Sequence, residues 1–364
     1  MPGQCDLPRG VAAAGVGELH RDRRDLVHGQ GGCPNVGRRT EAARLSRAGV
    51  AGDHDAIASL LPSATEIVCA IGLQDELVAV THECDWPPAV IGKPVVTRSV
   101  NDLGNVASRD IHDRVTASMH GGSSLYELDE EALAATAPDL ILTQELCHVC
   151  AVSYREVNEV ARRIDADITV VSLEPTSLEG IFHTITTVGA MTEVEDAAID
   201  LVESLRERLS AVEQRVTRRR DGGRAPLRVV AVEWLDPPFS VGHWVPEQIR
   251  RAGGWDVLGS DGQKAHPTTW AEVAEVDPDM LFLMPCGFHL AETIDEWSKT
   301  QVPPRIKELG AARSGQVFAL DGSSYFSRPG PRVIDGVEML AEIMDPEGFV
   351  DIAPPTGWAP VEVG

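Results

Sequence analysis

From Ala56 onward, short apolar runs alternate with stretches of helical period. The runs Ala56–Leu61, Leu77–Thr81, Asp139–Gln144, Ile168–Leu173, Leu227–Glu233 and Val317–Leu320 have the length of single buried strands. Between them the spacing predicts helices. One opens at Ser63, where Ser63 and Glu66 read as a capping box, and stops at Gly72. Asp129 reads as the cap of a short helix leading to Pro138. Further helical patterns cover Tyr154–Ile164 and Val333–Met344. Strands alternating with helices give an α/β fold with parallel sheets.

Two stretches 140 residues apart repeat each other. Pro138-Asp139-Leu140-Ile141-Leu142-Thr143-Gln144-Glu145-Leu146-Cys147 matches Pro278-Asp279-Met280-Leu281-Phe282-Leu283-Met284-Pro285-Cys286. Each is a Pro-Asp turn, a buried strand and a terminal cysteine. Glu66 precedes Gly72 by six residues, and Glu247 precedes Gly253 by six. The repeat predicts two similar Rossmann-like lobes with parallel sheets, facing each other across a shared site. Residues 190–220 carry one long helical pattern ending in Arg218-Arg219-Arg220-Asp221-Gly222-Gly223, which suits a backbone helix between lobes. The resulting organisation is 1–55 as a disordered or mis-called N-terminal extension, 56–189 as the first α/β lobe, 190–220 as the connecting helix and 221–364 as the second α/β lobe.

Charge narrows the partners. The chain carries a formal net charge of −24, while its first 50 residues are basic. An acidic body argues against nucleic acid. Only Lys93, Lys264, Lys299 and Lys307 are lysines, and an acidic, lysine-poor surface suits concentrated salt. GC-rich codon bias gives the same composition. Seven cysteines form no regular framework, so reduced thiols are expected. No export leader is legible in the first residues, and no run of 18 apolar residues is present. On those grounds the expected location is cytoplasmic, with an extracytoplasmic location as the alternative should the start be mis-annotated. The protein is expected to be a monomer.

Unusual side chains collect where strands should end, the position of ligands in open parallel sheets. They are His82, Glu83, Cys84 and Trp86, then Cys147, His148 and Cys150, in the first lobe. In the second they are Glu233, Trp234, Phe239, His243 and Trp244, then Cys286, Phe288 and His289, and finally Tyr325, Phe326, Arg328 and Arg332. A ring-lined cleft suits a large flat ligand. Taken singly, several of these rings can equally plug a core. Arg328 and Arg332 are candidates to hold a phosphate or an amide. Cys84, Cys147, Cys150 and Cys286 form a candidate metal or Fe–S set, and Cys147-His148-Val149-Cys150 is a CxxC that also suits redox exchange. Glu66 and Glu247 read most simply as helix N-terminal carboxylates, with docking of a basic membrane partner as the functional alternative. No phosphate loop, HExxH or GxSxG is present, and no nucleophile–base pair can be named, so no enzyme is expected.

The segments Leu60-Leu61-Pro62-Ser63-Ala64-Thr65-Glu66, His82-Glu83-Cys84-Asp85, Glu233-Trp234-Leu235-Asp236-Pro237-Pro238, Gly253-Gly254, Pro285-Cys286-Gly287-Phe288 and Tyr325–Arg332 resemble the cobalamin-binding branch of the helical-backbone periplasmic-binding proteins. The resemblance spans about 56–345. It implies two α/β lobes on one long helix, a corrinoid or other metal chelate between them and delivery to the membrane subunits of an ABC importer. Within it, Trp86, Trp234, Trp244 and Tyr325 are candidate walls, Phe288, Glu83 and Glu233 candidate lining residues, Arg328 a polar anchor, and His82, His148 or His243 an axial nitrogen. The competing expectation is a cytosolic metal, Fe–S or thiol-redox protein using Cys84, Cys147, Cys150 and Cys286.

Overall fold

The structure, a computed structural model, describes residues 54–99, 108–111, 113, 126–144 and 154–363. The expected N-terminal extension therefore lies almost wholly outside the described residues. The first lobe is built on a four-stranded sheet. Its centre is β1 (Ile57–Ser59), flanked by β2 (Leu77–Ala79). β3 (Thr97–Ser99) and β4 (Tyr126–Leu128) form a separate antiparallel pair. β5 (Leu140–Thr143) pairs with the other side of β1, and β6 (Thr169–Ser172) lies beyond it, so the order is β2-β1-β5-β6, all parallel.

The second lobe has a six-stranded sheet. It comprises β7 (Leu227–Leu235), β8 (Pro238–Ser240), β9 (Gly254–Asp256), β10 (Met280–Leu283), β11 (Val317–Leu320) and β12 (Trp358–Pro360). Its core, β7-β10-β11, is parallel, and β8 and β12 add antiparallel edges. The nine residues of β7 are long enough for two short neighbours to share one side, β9 at its start and β8 at its end. The parallel strands of both lobes are apolar nearly throughout, as sheets covered on both faces require.

Helices cover the sheets. In the first lobe they are α1 (Pro62–Ala70), α2 (Glu130–Ala135), α3 (Tyr154–Ile164) and α4 (Leu178–Met191). Next comes α5 (Glu195–Asp221), and in the second lobe α6 (Val245–Arg251), α7 (Trp270–Val276), α8 (Leu290–Lys299), α9 (Pro304–Lys307), α10 (Gly310–Arg313), α11 (Gly322–Tyr325) and α12 (Val333–Met344). Asp129 caps α2 as expected, its side chain accepting from the Ala132 N–H. The capping box at α1 is absent. Leu61 is the cap and Pro62 takes the first helical position, so Ser63 already lies inside the helix and cannot serve as its cap.

The stretch 190–220 is not one helix. α4 ends at Met191, Glu193 takes φ 55°, and α5 starts at Glu195. The 27 residues of α5 span about 40 Å at the standard rise. Ala198, Val202, Leu205, Leu209, Val212 and Val216 form its buried stripe, whereas Ile199 is exposed. That stripe belongs to a single core reaching from Ile57 and α1 through α4 to α6 and α12, so the helix joins the lobes through packing as well as through the chain. Ion pairs fasten its flanks: Arg206 to Glu179 of α4, and Arg208 to Asp335 and Glu338 of α12. At the α4–α5 turn a β-carbon on Gly189 would sit 2.4 Å from the Ala198 Cβ. Gly189→Leu is therefore expected to lower stability by about 1–3 kcal/mol through overpacking, read as a lower urea midpoint with an unchanged slope.

One buried acid sits in the second sheet. Burial pushes the Asp256 carboxyl up to about 6, although the Leu258 and Gly259 N–H groups donate to it. Because the folded value is raised, this group's contribution to stability is complete below about 3.8 and is lost as pH rises through 6. Asp256→Asn should gain on the parent protein across that window, by about 3 kcal/mol at the upper limit. Urea unfolding of both proteins at intervals from pH 4 to 7 measures the gap.

Candidate functional site

The carboxyl ends of β2, β10 and β11 face each other between the lobes, and their loops meet. From the first lobe, the segment after β2 delivers Glu83, Cys84, Asp85 and Trp86. From the second, the segment after β10 delivers His289, β11 runs into Asp321, and the chain after α11 brings Arg328 and Arg332. Gly322, directly after Asp321, is required here, because a β-carbon would fall 2.3 Å from the Pro285 carbonyl oxygen.

Charged pairs bridge the gap. Arg328, only 8% exposed, donates to both Asp85 carboxylate oxygens and to the Glu83 carbonyl. Its Nη1 also lies 3.6 Å from Glu66. His289 Nε2 stands 3.1 Å from Asp85, while its Nδ1 stands 3.2 Å from Asp321. Glu66 of α1, 4% exposed, takes two hydrogen bonds from Arg332 at 2.6 and 3.0 Å. The Arg332 guanidinium lies 5.2 Å from the Trp86 ring and 5.7 Å from the Tyr325 ring, within cation–π range of both.

The electrostatics follow from this arrangement. Burial works against an anion at Asp85, but hydrogen bonds from His289 and Arg328 outweigh it and hold the carboxyl well below the usual range. Hydrogen bonds to Asp321 and Asp85 raise His289 to about 10, so the ring is a cation at neutral pH. Burial would lower Arg328, and its hydrogen bond and attraction to Asp85 more than reverse that. At Glu66 burial raises the pKa, with Arg332 and Arg328 pulling against it.

Glu247 does for the second lobe what Glu66 does for the first. It is buried and reaches across the molecule, accepting from the Leu178 N–H at the start of α4 at 2.9 Å while pairing with Arg251. The repeated Glu-to-Gly spacing thus marks two inter-lobe ties. Buried inside the protein, these carboxyls are not the exposed docking knobs of the functional alternative.

The other rings separate into groups. Trp234 meets Phe288 edge-on at 5.6 Å, and its indole N–H donates to the Ser108 carbonyl. Ser108 and Arg109 reach the second lobe at Glu296 and Asp236. His82 is held within its own lobe, by Thr97 at 2.8 Å and against Tyr126 at 5.2 Å. His243 adopts φ 53° and stacks on Trp244, and burial lowers its pKa toward the neutral ring. The Trp244 expectation is corrected. This ring is 5% exposed and belongs to the core, because its N–H must find an acceptor there and does so at the Phe326 carbonyl, 2.9 Å away. Glu233 is half-buried at the end of β7.

Cys84 is also placed differently from expectation. Its thiol lies 3.0 Å from Thr65 Oγ1 and 3.2 Å from Thr81 Oγ1, and burial pushes it up, which favours the thiol over a metal-binding thiolate. Cys286 is a half-buried free thiol. Cys147, His148 and Cys150 lie outside the described residues. Among the described residues no group of three or more His, Cys, Asp or Glu side chains could hold a metal ion.

A charged cluster of Asp85, His289, Asp321, Arg328, Arg332 and Glu66 therefore lies between the lobes. Residues 57–323 match the family model described as periplasmic binding protein. The chain belongs to that family. Among relatives, an uncharacterised ABC transporter substrate-binding lipoprotein of Bacillus subtilis is 24% identical, covering 80% of this chain and 81% of its own. A vitamin B12-binding protein of Vibrio cholerae is 24% identical, covering 78% and 87%. Among solved structures, a periplasmic heme-binding protein of Pseudomonas aeruginosa superposes with a TM-score of 0.63 at 20% identity, covering 85% of this chain and all of that one. The periplasmic vitamin B12-binding protein of Vibrio cholerae gives 0.58 at 21%, covering 80% and 97%.

These findings establish a two-lobed α/β binding protein. They overturn the cytoplasmic expectation, since the relatives are periplasmic proteins or a lipoprotein. That expectation rested on reading no leader in the first residues, and the residue at which a sequence starts says nothing about where its fold works.

Proposed function

We propose that this periplasmic binding protein holds a cobalamin-like corrinoid, or a chemically related metal chelate, in the cleft between its lobes and delivers it to the membrane subunits of an ABC importer. The observation that carries the reading is the convergence of loops from the ends of β2, β10 and β11 on one inter-lobe cluster. Trp86, Tyr325, Trp234 and Phe288 supply flat apolar walls beside it, and Arg328 and Arg332 supply fixed donors. The V. cholerae relatives named for vitamin B12 support a corrinoid, and the heme-binding structural relative supports the wider class of tetrapyrrole-like chelates. His82 and His243 remain the candidate axial nitrogens among the described residues; Thr97 holds the His82 Nδ1, and the His243 Nδ1 is buried without a hydrogen-bond partner there. A long packed helix between lobes allows only small hinge changes, so affinity would come from buried area and preorganisation. The protein acts as a monomer without catalysis.

Calorimetric titration with cyanocobalamin, on protein purified anaerobically, tests this. Sub-micromolar 1:1 binding that survives Cys84→Ser is expected. Failure to bind any corrinoid or haem, with stoichiometric iron or zinc in the purified protein, would favour the thiolate reading instead.

A further inference from the structure

Among the described residues, every hydrogen-bond acceptor of the Arg328 guanidinium belongs to the opposite lobe: two Asp85 oxygens and the Glu83 carbonyl. A second donor, His289 Nε2, converges on the same Asp85 carboxylate. His289 is positioned for this by its own lobe, because Asp321 fixes its Nδ1 side, with Ser324 Oγ 3.4 Å away. Two cationic groups from one lobe thus grip one carboxylate with the geometry used for carboxylate or phosphate ligands. Asp85 itself arrives on a loop with its side chain 44% exposed, whereas Arg328 is buried. When the lobes part, Asp85 leaves with the first lobe and the grip stays on the second. The Arg328 guanidinium then loses its hydrogen-bond acceptors and His289 keeps only Asp321, so two donors are left facing the cleft for an incoming anion.

We propose that Asp85 is a built-in stand-in for an acidic group of the ligand, and that Arg328 and His289 form the receptor for a carboxylate or phosphate carried by that ligand. This rests on the reading of the inter-lobe cleft as the ligand site and narrows the cargo to chelates bearing an acid. The raised pKa of His289 agrees, since the ring is already charged when an anion arrives. The Arg332 side chain between Trp86 and Tyr325 places rings beside the receptor, where the flat body of such a ligand would lie.

The test uses Asp85→Asn, a near-isosteric change on an exposed loop, with His289→Gln and Arg328→Gln in the same background. The probes are inorganic phosphate, cyanocobalamin with its phosphodiester, haemin with its carboxylates, and dicyanocobinamide, which lacks an acid. Removing the internal carboxylate should tighten phosphate and the acid-bearing chelates about tenfold and leave dicyanocobinamide unchanged. Adding either second substitution should abolish the gain. Tightened phosphate binding with no chelate bound at all would uphold the anion receptor and overturn the corrinoid reading. Chelates that bind equally to both proteins, with no gain for phosphate, would overturn the receptor and leave the corrinoid reading standing. An equal gain for dicyanocobinamide would also overturn the receptor, since relief of lobe closure alone would then explain it.

Discussion

Glu66→Ala is expected to destabilise the fold by about 3–5 kcal/mol, the usual cost of removing one partner of a buried pair. Glu66 is a buried hub. It holds Arg332 through two hydrogen bonds, so its loss strands that guanidinium, and it also removes a nearby negative charge from Arg328, which keeps Asp85. The exposed Arg98–Glu127 pair makes a control, because both side chains are more than half exposed. Glu127→Ala should cost less than about 1 kcal/mol. Glu66→Gln keeps an acceptor for Arg332 and should fall between them. Urea unfolding followed by tryptophan fluorescence gives all three values. Equal costs for Glu66→Ala and Glu127→Ala would show that the inter-lobe ion pairs are incidental.

The second large effect is on closure at high pH. His289 is raised to about 10 by Asp321 and Asp85, so its contribution is complete below about 6.5 and is lost as pH rises through 10. Arg328 also faces Asp85 and keeps its charge throughout that range. The expected result is a weakened, not abolished, grip on Asp85 above pH 10. Small-angle scattering at pH 7.5 and 10.5 should register a larger radius of gyration at the higher pH. His289→Gln should already have the larger radius at pH 7.5 and change little with pH. A radius in the parent protein that stays constant while the variant matches it would remove His289 from closure.

Much of the fold was legible because local pattern and tertiary burial agreed. Val317–Leu320, Val333–Met344 and Tyr154–Ile164 occupy the ranges their periodicity predicts. α4 was missed because its sequence, rich in Thr, Ile and Gly, argues weakly for helix, and burial of Ile181, Phe182, Ile185 and Val188 overrides that preference. Ser63 and Glu66 have the letters of a capping box, yet the partner of Glu66 is Arg332, 266 residues later, which no local reading can supply.

At the candidate site, the rule that ligands gather at strand ends points to loops that the structure brings together between the lobes. Asp321 follows β11 directly and Asp85 lies in the loop after β2, so both carry a positional signal that their more conspicuous neighbours overshadow. Glu296, Ser108 and Arg109 carried none, since only the meeting of the lobes gives them partners. Trp244 was read as a wall because sequence records the ring and not the acceptor its N–H finds.

The most direct measurement is hydrogen exchange with and without cyanocobalamin. Slowed exchange confined to residues 82–87, 233–244, 285–290 and 321–332, on both lobes together, is the expected result. Protection on one lobe only, or centred away from these loops, would contradict a ligand held in the cleft.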